Sequence, residues 1–142
     1  MDGIFTLCKY YQSLGYIVVV VTNQSGIARN YYTEEDFDEL TSWMLKEFSF
    51  QDIDIKMVYH CPHHPDISGE CSCRKPNPGM LLQAASELNI DLKNSIIIGD
   101  KERDILAGIN AGLTTTYLFD ESNSIQASQA KRIVSKLEDI YC

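Results

Sequence analysis

The run Tyr16-Ile-Val-Val-Val-Val-Thr22 constrains the fold of this chain more than any other stretch. Its apolar residues from Ile17 to Val21 are all β-branched, which disfavours a helix and suits a pleated strand. A strand that is apolar on both faces has no solvent side. It belongs in a parallel sheet covered by helices above and below.

The rest of the chain supplies those helices and further strands in alternation, with no internal repeat or low-complexity tract, so the sequence predicts an α/β fold. Ile4, Leu7, Cys8, Tyr11 and Leu14 predict a helix over 3–14 stopped by Gly15. Thr33-Glu-Glu-Asp36 has the form of a capping box and opens a helix with Phe37, Leu40, Met44 and Phe48 on one face. Ile53, Ile55, Met57 and Tyr59 alternate with Asp54, Lys56 and Val58 as a strand. Pro78 suits the first turn of a helix carrying Leu81, Leu82, Ala85 and Leu88 and ending at Asn89. Ser95-Ile-Ile-Ile-Gly-Asp100 reads as a second buried strand, followed by a short helix with Ile105, Leu106 and Ile109 closed by Gly112. Thr114 to Phe119 supplies another strand. Ala130, Ile133, Val134, Leu137 and Ile140 then predict a terminal helix, beginning near Ser128 and docked on the sheet.

A length of 142 residues suits one globular domain, 1–142, with a core of ordinary size. Twelve basic against twenty acidic side chains leave a net charge of −8. That balance argues against a nucleic-acid partner and confines any phosphate site to a local cluster of cations. No apolar run approaches the ~20 residues that span a bilayer, and the first residues lack the pattern of a secretory leader. The sequence therefore predicts a cytoplasmic protein without a membrane partner.

Five cysteines are present, Cys8, Cys61, Cys71, Cys73 and Cys142, an odd number with three of them close to His60, His63 and His64. This clustering points to metal binding and away from a disulfide framework. Cys61-x-His63 and Cys71-x-Cys73 together offer three thiolates and an imidazole, which complete a tetrahedral Zn²⁺ shell with no open position. A closed shell is structural, and the loop 60–74 is accordingly a zinc-binding insert. Uncoordinated cysteines or a redox pair at Cys71 and Cys73 are the competing readings, and His64 is the alternative ligand to His63.

Functional residues of an open parallel sheet gather at the carboxyl ends of its strands. Thr22-Asn-Gln-Ser-Gly26 offers a hydroxyl and the N–H groups of a turn to a phosphate oxygen, although a satisfied strand-to-loop turn has the same letters. Arg74-Lys75-Pro-Asn-Pro-Gly79 places two cations before a helix start, as an anion site or as a solvated basic pair. Gly99-Asp100-Lys-Glu-Arg-Asp104 sets one carboxylate at a strand tip and another a helical turn later, suited to Mg²⁺ or to capping a helix.

The order and wording of these three segments resemble the haloacid dehalogenase superfamily of phosphohydrolases. Thr22-Asn-Gln-Ser-Gly-Ile-Ala-Arg29, Tyr32-Thr-Glu-Glu35, Cys61-Pro-His-His-Pro65, Cys73-Arg-Lys-Pro76 and Gly79-Met-Leu-Leu-Gln-Ala-Ala85 are most similar to its D-glycero-D-manno-heptose 1,7-bisphosphate phosphatase family. The likeness runs from the first helix to about Phe119. It implies a Rossmann-like three-layer fold with no large cap, and hydrolysis of the C7 phosphate of a small sugar bisphosphate in heptose and lipopolysaccharide precursor synthesis. Thr22 would hydrogen-bond the transferring phosphoryl group with Asn23 beside it. Lys75 would neutralise phosphate charge, Arg74 would contact substrate, and Asp100 would ligate Mg²⁺ with Lys101 and Asp104 supporting its loop. In this family the Cys-x-His…Cys-x-Cys loop binds Zn²⁺ and positions the following Arg-Lys. Histidinol-phosphate phosphatases and polynucleotide 3′-phosphatases share parts of the wording and are alternative relatives, and a non-catalytic sugar-phosphate-binding or assembly module is a third alternative.

The resemblance also implies an Asp-x-Asp-Gly motif, whose first Asp attacks phosphorus and whose second acts as general acid and base. No Asp-x-Asp-Gly occurs in these residues. Asp2-Gly3-Ile4 precedes a helix and lacks a partner carboxylate. Met1 therefore aligns with an interior position of a longer relative, and the expectation is a chain without the first, central strand, with negligible turnover and weakened Mg²⁺ binding. The family is monomeric, whereas a gap between the strands ending at Thr22 and Asp100 would invite strand exchange or dimerisation.

Overall fold

A computed structural model describes residues 3–141. The element order is α1 (Ile4–Ser13), β1 (Val18–Asn23), α2 (Glu34–Phe50), β2 (Ile55–Cys61), α3 (Pro65–Ser68), α4 (Gly79–Leu88), β3 (Ile96–Gly99), α5 (Glu102–Ala111), β4 (Thr115–Phe119) and β5 (Arg132–Val134). Short 3₁₀ turns cover Leu92–Asn94 and Leu137–Ile140. The strands form two parallel sheets, one of β1 and β2 and one in the order β3-β4-β5. The chain divides into two compact units, one of Ile4–Cys71 and the other built chiefly from Ser72 onward.

Within Ile4–Cys71, the predicted punctuation holds. Gly15 stands after α1 at φ +90°, a left-handed conformation that costs glycine least. Thr33 caps α2 reciprocally: its hydroxyl accepts from the Asp36 N–H at 3.0 Å, and the Asp36 carboxylate accepts from the Thr33 N–H at 2.9 Å. Phe5 of α1 meets Phe48 of α2 edge to face at 5.0 Å between ring centroids. Phe37 is buried as expected, but Leu40 is exposed on the same helix. β1 and β2 pair from Val18↔Ile55 to Asn23↔Cys61, so the second strand runs two residues past Tyr59 and delivers Cys61 at its carboxyl end.

From Ser72 onward, α5 packs on β3 and β4 while α4 packs on α5. The helix lies close: a Cβ built on Gly108 would stand 2.7 Å from Ile97 Cγ2. Ile105, Ala107, Leu118 and Leu137 form the most buried part of this core. Asn89 ends α4 at φ +54° and Gly112 ends α5 at φ +100°, the two stops read from the sequence.

The expected terminal helix is corrected by the structure. Arg132–Val134 instead pairs in parallel with β4, from Tyr117↔Arg132 to Phe119↔Val134, and Leu137–Ile140 is a 3₁₀ turn. The free edge of β4 offers backbone partners that a helix would leave unmade, and β-branched Ile133 and Val134 fit a strand. Val134, Leu137 and Ile140 are all buried, and their spacing of three matches a 3₁₀ turn as well as it matched a helix. Pro78 is a second, smaller difference, standing just before α4 as its N-cap.

Candidate active site and metal cluster

Three groups of predicted residues can be followed from their elements. At the carboxyl end of β1, the Thr22 hydroxyl accepts from Gln24 Nε2 at 3.0 Å and makes only a long contact, 3.4 Å, to the Asn23 carbonyl. Gln24 Oε1 in turn accepts a hydrogen bond from the Tyr32 hydroxyl. The turn that returns Tyr32 to this position passes through Asn30 at φ +61°, a conformation asparagine tolerates. Backbone bonds from Gln24 N to Cys61 O (2.7 Å) and from Ala28 N to Pro62 O (3.2 Å) tie the β1 tip to the start of the cysteine loop.

In that loop, Cys61, His63, Cys71 and Cys73 bring one donor atom each to within 4.8 Å of one another. Cys61 Sγ lies 3.4 Å from Cys71 Sγ and 3.5 Å from His63 Nδ1. Zinc bonds of about 2.3 Å to sulfur and about 2.0–2.1 Å to nitrogen place tetrahedral edges near ~3.8 Å for S···S and ~3.5 Å for S···N. The donor set and the S···N edge suit Zn²⁺, whereas the S···S edge is shorter than the tetrahedral one. Cys61 and Cys73 are each in the disulfide-bonded state in this structure, a departure from the sequence reading, which pointed away from disulfides. Zinc ligation requires their thiolates. His64 is turned elsewhere: its Nε2 lies 2.5 Å from the Arg29 guanidinium, and its Nδ1 accepts from the Asp66 N–H at 3.2 Å, capping α3. His60 pairs with Glu34 at 2.8 Å.

The third group follows the loop. Lys75 Nζ contacts Asp104 Oδ1 at 2.5 Å, with the two side chains only 11% and 8% exposed. Asp104 Oδ2 accepts from the Lys101 N–H at 3.1 Å at the start of α5. Asp104 comes so close to the tip of β3 that a Cβ on Gly99 would lie 2.4 Å from its Cβ and 2.6 Å from its Oδ2. Glycine is required there by the carboxylate. Gly79 plays a similar part at the start of α4, where a Cβ would lie 2.2 Å from the Ser72 carbonyl oxygen. Asn110 Nδ2 donates to Pro76 O at 3.1 Å and Asn77 N to Arg74 O at 2.8 Å, fixing the Arg-Lys segment. Arg74 Nε is buried with no acceptor among the described residues. Asp100 is exposed at the strand tip, and no group among the described residues bonds its carboxylate.

The structure thus joins Lys75, Asp104 and Lys101, gathers the four Cys and His donors, and adds Gln24 and Tyr32 to Thr22. Gln24 and Tyr32 stand in segments singled out from the sequence but were given no role there. They are eight positions apart, and the link depends on the Asn30 turn, which leaves no periodic signal. The close-approach role of Gly99 was equally hidden, because its neighbour is a side chain five residues later. Asp2 lies outside the described residues. The Asp-x-Asp pairs of the described residues sit away from the carboxyl ends of strands: Asp36 and Asp38 in the first turns of α2, and Asp52 and Asp54 before β2.

A HAD-hydrolase-like family model matches residues 72–139. A D-glycero-α-D-manno-heptose-1,7-bisphosphate 7-phosphatase of Campylobacter jejuni is 53% identical over 120 residues, spanning 84% of this chain and 67% of its own. A D-glycero-β-D-manno-heptose-1,7-bisphosphate 7-phosphatase of Pasteurella multocida is 43% identical over 99% of this chain and 78% of its own. The crystal structure of D,D-heptose 1,7-bisphosphate phosphatase from B. bronchiseptica, complexed with magnesium and phosphate, superposes with a TM-score of 0.83 at 25% identity, covering 99% of this chain and 80% of that one. Strand-tip residues, parallel sheets and these likenesses agree, and the chain belongs to the D-glycero-D-manno-heptose-1,7-bisphosphate 7-phosphatase family of haloacid dehalogenase-like hydrolases.

Proposed function

We propose that the chain recognises D-glycero-D-manno-heptose 1,7-bisphosphate and serves hydrolysis of its C7 phosphate. The observation that carries this reading is the Lys75–Asp104 pair: a cation held in place by a buried carboxylate, next to an arginine whose buried Nε has no acceptor among the described residues. Phosphoryl transfer needs fixed positive charge around oxygens that share negative charge, with little reorganisation as the charge shifts. Lys75 supplies that charge, Arg74 donates to a substrate oxygen, and Thr22 donates its hydroxyl with Asn23 alongside. Lys101 contributes the backbone N–H that holds Asp104.

Mg²⁺ fits Asp100, whose unbonded carboxylate at the tip of β3 is a hard oxygen ligand, while Asp104 has both oxygens engaged and acts as support. When bound, the ion would neutralise phosphate charge. Zn²⁺ fits Cys61, His63, Cys71 and Cys73 once the cysteines are reduced, and its part is to stiffen the loop that leads into Arg74.

We also propose that these 142 residues bind the bisphosphate without turning it over. Their sequence holds no Asp-x-Asp-Gly, and the two Asp-x-Asp pairs in the described region lie where a nucleophile could not follow a strand. No aspartyl phosphate could then form on them. The test is calorimetric binding of both anomers of the bisphosphate together with phosphate release in the presence of Mg²⁺. Saturable binding without release, weakened by Lys75→Ala, is expected. Absence of binding refutes the sugar-phosphate reading. Release that Lys75→Ala abolishes refutes the claim of inactivity and leaves the phosphatase reading standing.

A further inference from the structure

We propose that Tyr32 is a positioning residue that sets the Thr22 hydroxyl as a hydrogen-bond donor to phosphate, acting through Gln24. The inference rests on the phosphate-binding role of Thr22 given above. Its physical basis is the direction of each hydrogen bond in a short relay.

A phenol hydroxyl donates to a carboxamide oxygen, and Tyr32 makes that bond to Gln24 Oε1. With Oε1 engaged by the phenol, Nε2 points at Thr22 and donates to Oγ1 at 3.0 Å. With one lone pair of Thr22 occupied by a donor, its own proton must go to an acceptor. Among the described residues it finds only the Asn23 carbonyl at 3.4 Å, beyond the usual O–H···O range of about 2.5–3.0 Å. The hydroxyl is left with a proton that a phosphate oxygen can take. Ionised phosphate oxygens accept, so a hydroxyl presenting a lone pair would be useless to them.

The opposite amide orientation shows what Tyr32 prevents. With Oε1 toward Thr22, the threonine would donate its proton to Gln24 and present lone pairs outward. Two such orientations differ little in shape; the flipped amide would make Tyr32 the acceptor and Thr22 the donor, and a phenol is a stronger donor and a weaker acceptor than an aliphatic alcohol, which favours the observed one. A second observation supports a dedicated placement of the ring: a Cβ on Gly26 would lie 2.3 Å from Tyr32 Cε1 and 3.0 Å from Cζ. Any side chain at position 26 displaces the phenol from Gln24.

The relay is tested by NMR on the 142-residue chain with inorganic phosphate as the probe. Without phosphate, Tyr32→Phe is expected to speed solvent exchange of the Gln24 side-chain amide protons; unchanged exchange overturns the relay. With phosphate, Tyr32→Phe and Gly26→Ala are each expected to weaken binding roughly tenfold, the scale of one hydrogen bond. In a Thr22→Val background, Tyr32→Phe should have no further effect, whereas Thr22→Ser should retain both affinity and sensitivity to Tyr32→Phe. Equal losses in the wild-type and Thr22→Val backgrounds would make Tyr32 a structural residue and overturn the proposal. Failure of the unsubstituted chain to bind phosphate overturns the phosphate-binding role of Thr22, and the exchange measurement still reports on the relay separately.

Discussion

Replacing Asp104 tests the central electrostatic claim. Its carboxylate meets Lys75 at 2.5 Å, and both side chains are almost wholly shielded, at 8% and 11% exposure. At an effective dielectric of about 20, two unit charges that close attract by roughly 6–7 kcal/mol, against a desolvation cost of several kcal/mol per ion. The net worth of the pair is therefore small, but removing one member leaves an uncompensated buried charge, which costs about 3–5 kcal/mol. Asp104→Ala also deletes the acceptor for the Lys101 N–H, worth about 1 kcal/mol at a helix start. Asp104→Asn can keep that acceptor, so it should cost about 1 kcal/mol less. Lys75→Met combined with Asp104→Asn should be less damaging than the two single costs added, because no lone charge remains. Hydrogen exchange of the β3 and α5 amides reads these differences directly. An increase of roughly a hundredfold to a few thousandfold is expected for Asp104→Ala. Fluorescence of Trp43, which lies in the other compact unit, serves as the control for general damage. A cost below about 1 kcal/mol for Asp104→Ala would mean that water screens the pair, and the argument for a fixed cation at Lys75 would fail.

Further outcomes follow from the same contacts. Gly99→Ala places a Cβ 2.4 Å from that of Asp104, so destabilisation of about 1–3 kcal/mol by urea unfolding and weaker phosphate binding are expected; a neutral substitution would refute the required close approach. Reduced chain titrated with Zn²⁺ should take up one ion, released when Cys61→Ser or Cys71→Ser is introduced, and oxidation of Cys61 and Cys73 should block uptake; equal uptake by oxidised chain would refute ligation by these sulfurs. The Asp120 carboxyl is held below its ordinary value of 3.8 by the Ile125 N–H and the Ser122 hydroxyl. Its stabilising effect is thus complete above that value and is lost as pH falls through the lowered one. The Ile125 amide shift should titrate with a midpoint below 3.8, and a higher midpoint would refute the assignment. Burial pushes the Cys8 thiol upward, so alkylation at pH 8 should be slow until the chain is unfolded; rapid reaction of the native chain would refute that protection.

Most of the architecture was readable because its signals are local. Thr33 and Asp36 form one cap, Gly15, Asn89 and Gly112 each stop a helix through their own backbone, and four successive β-branched valines form a strand, although the expected cover on both faces is incomplete and none of the four is fully buried. The cysteine cluster was readable for a similar reason, since its four donors lie within a single loop and their convergence needs no distant partner. Leu40 shows the limit of periodicity: spacing assigned it to the face of Phe37, but a helix of seventeen residues packed on a two-stranded sheet leaves part of that face uncovered.

The C-terminal segment and the Thr22 relay failed to show in the sequence for a shared reason. Both depend on what the chain meets after folding. Val134, Leu137 and Ile140 carry the same spacing in a helix as in a strand followed by a 3₁₀ turn, and the choice is made by the open edge of β4, where Asp120 N also donates to Val134 O at 2.8 Å. A strand of only three residues is too short to display alternation. In the relay, the sequence marked Thr22 as a candidate phosphate ligand, but whether its hydroxyl donates or accepts depends on Gln24, and we propose that the orientation of Gln24 depends on Tyr32. Residue type supplies the chemistry a site can perform, whereas hydrogen-bond direction, set by neighbours that sequence does not place, determines which half of that chemistry is presented. The measurements on Tyr32 and Asp104 are complementary on this point, one testing the direction of a neutral donor and the other the fixing of a charge.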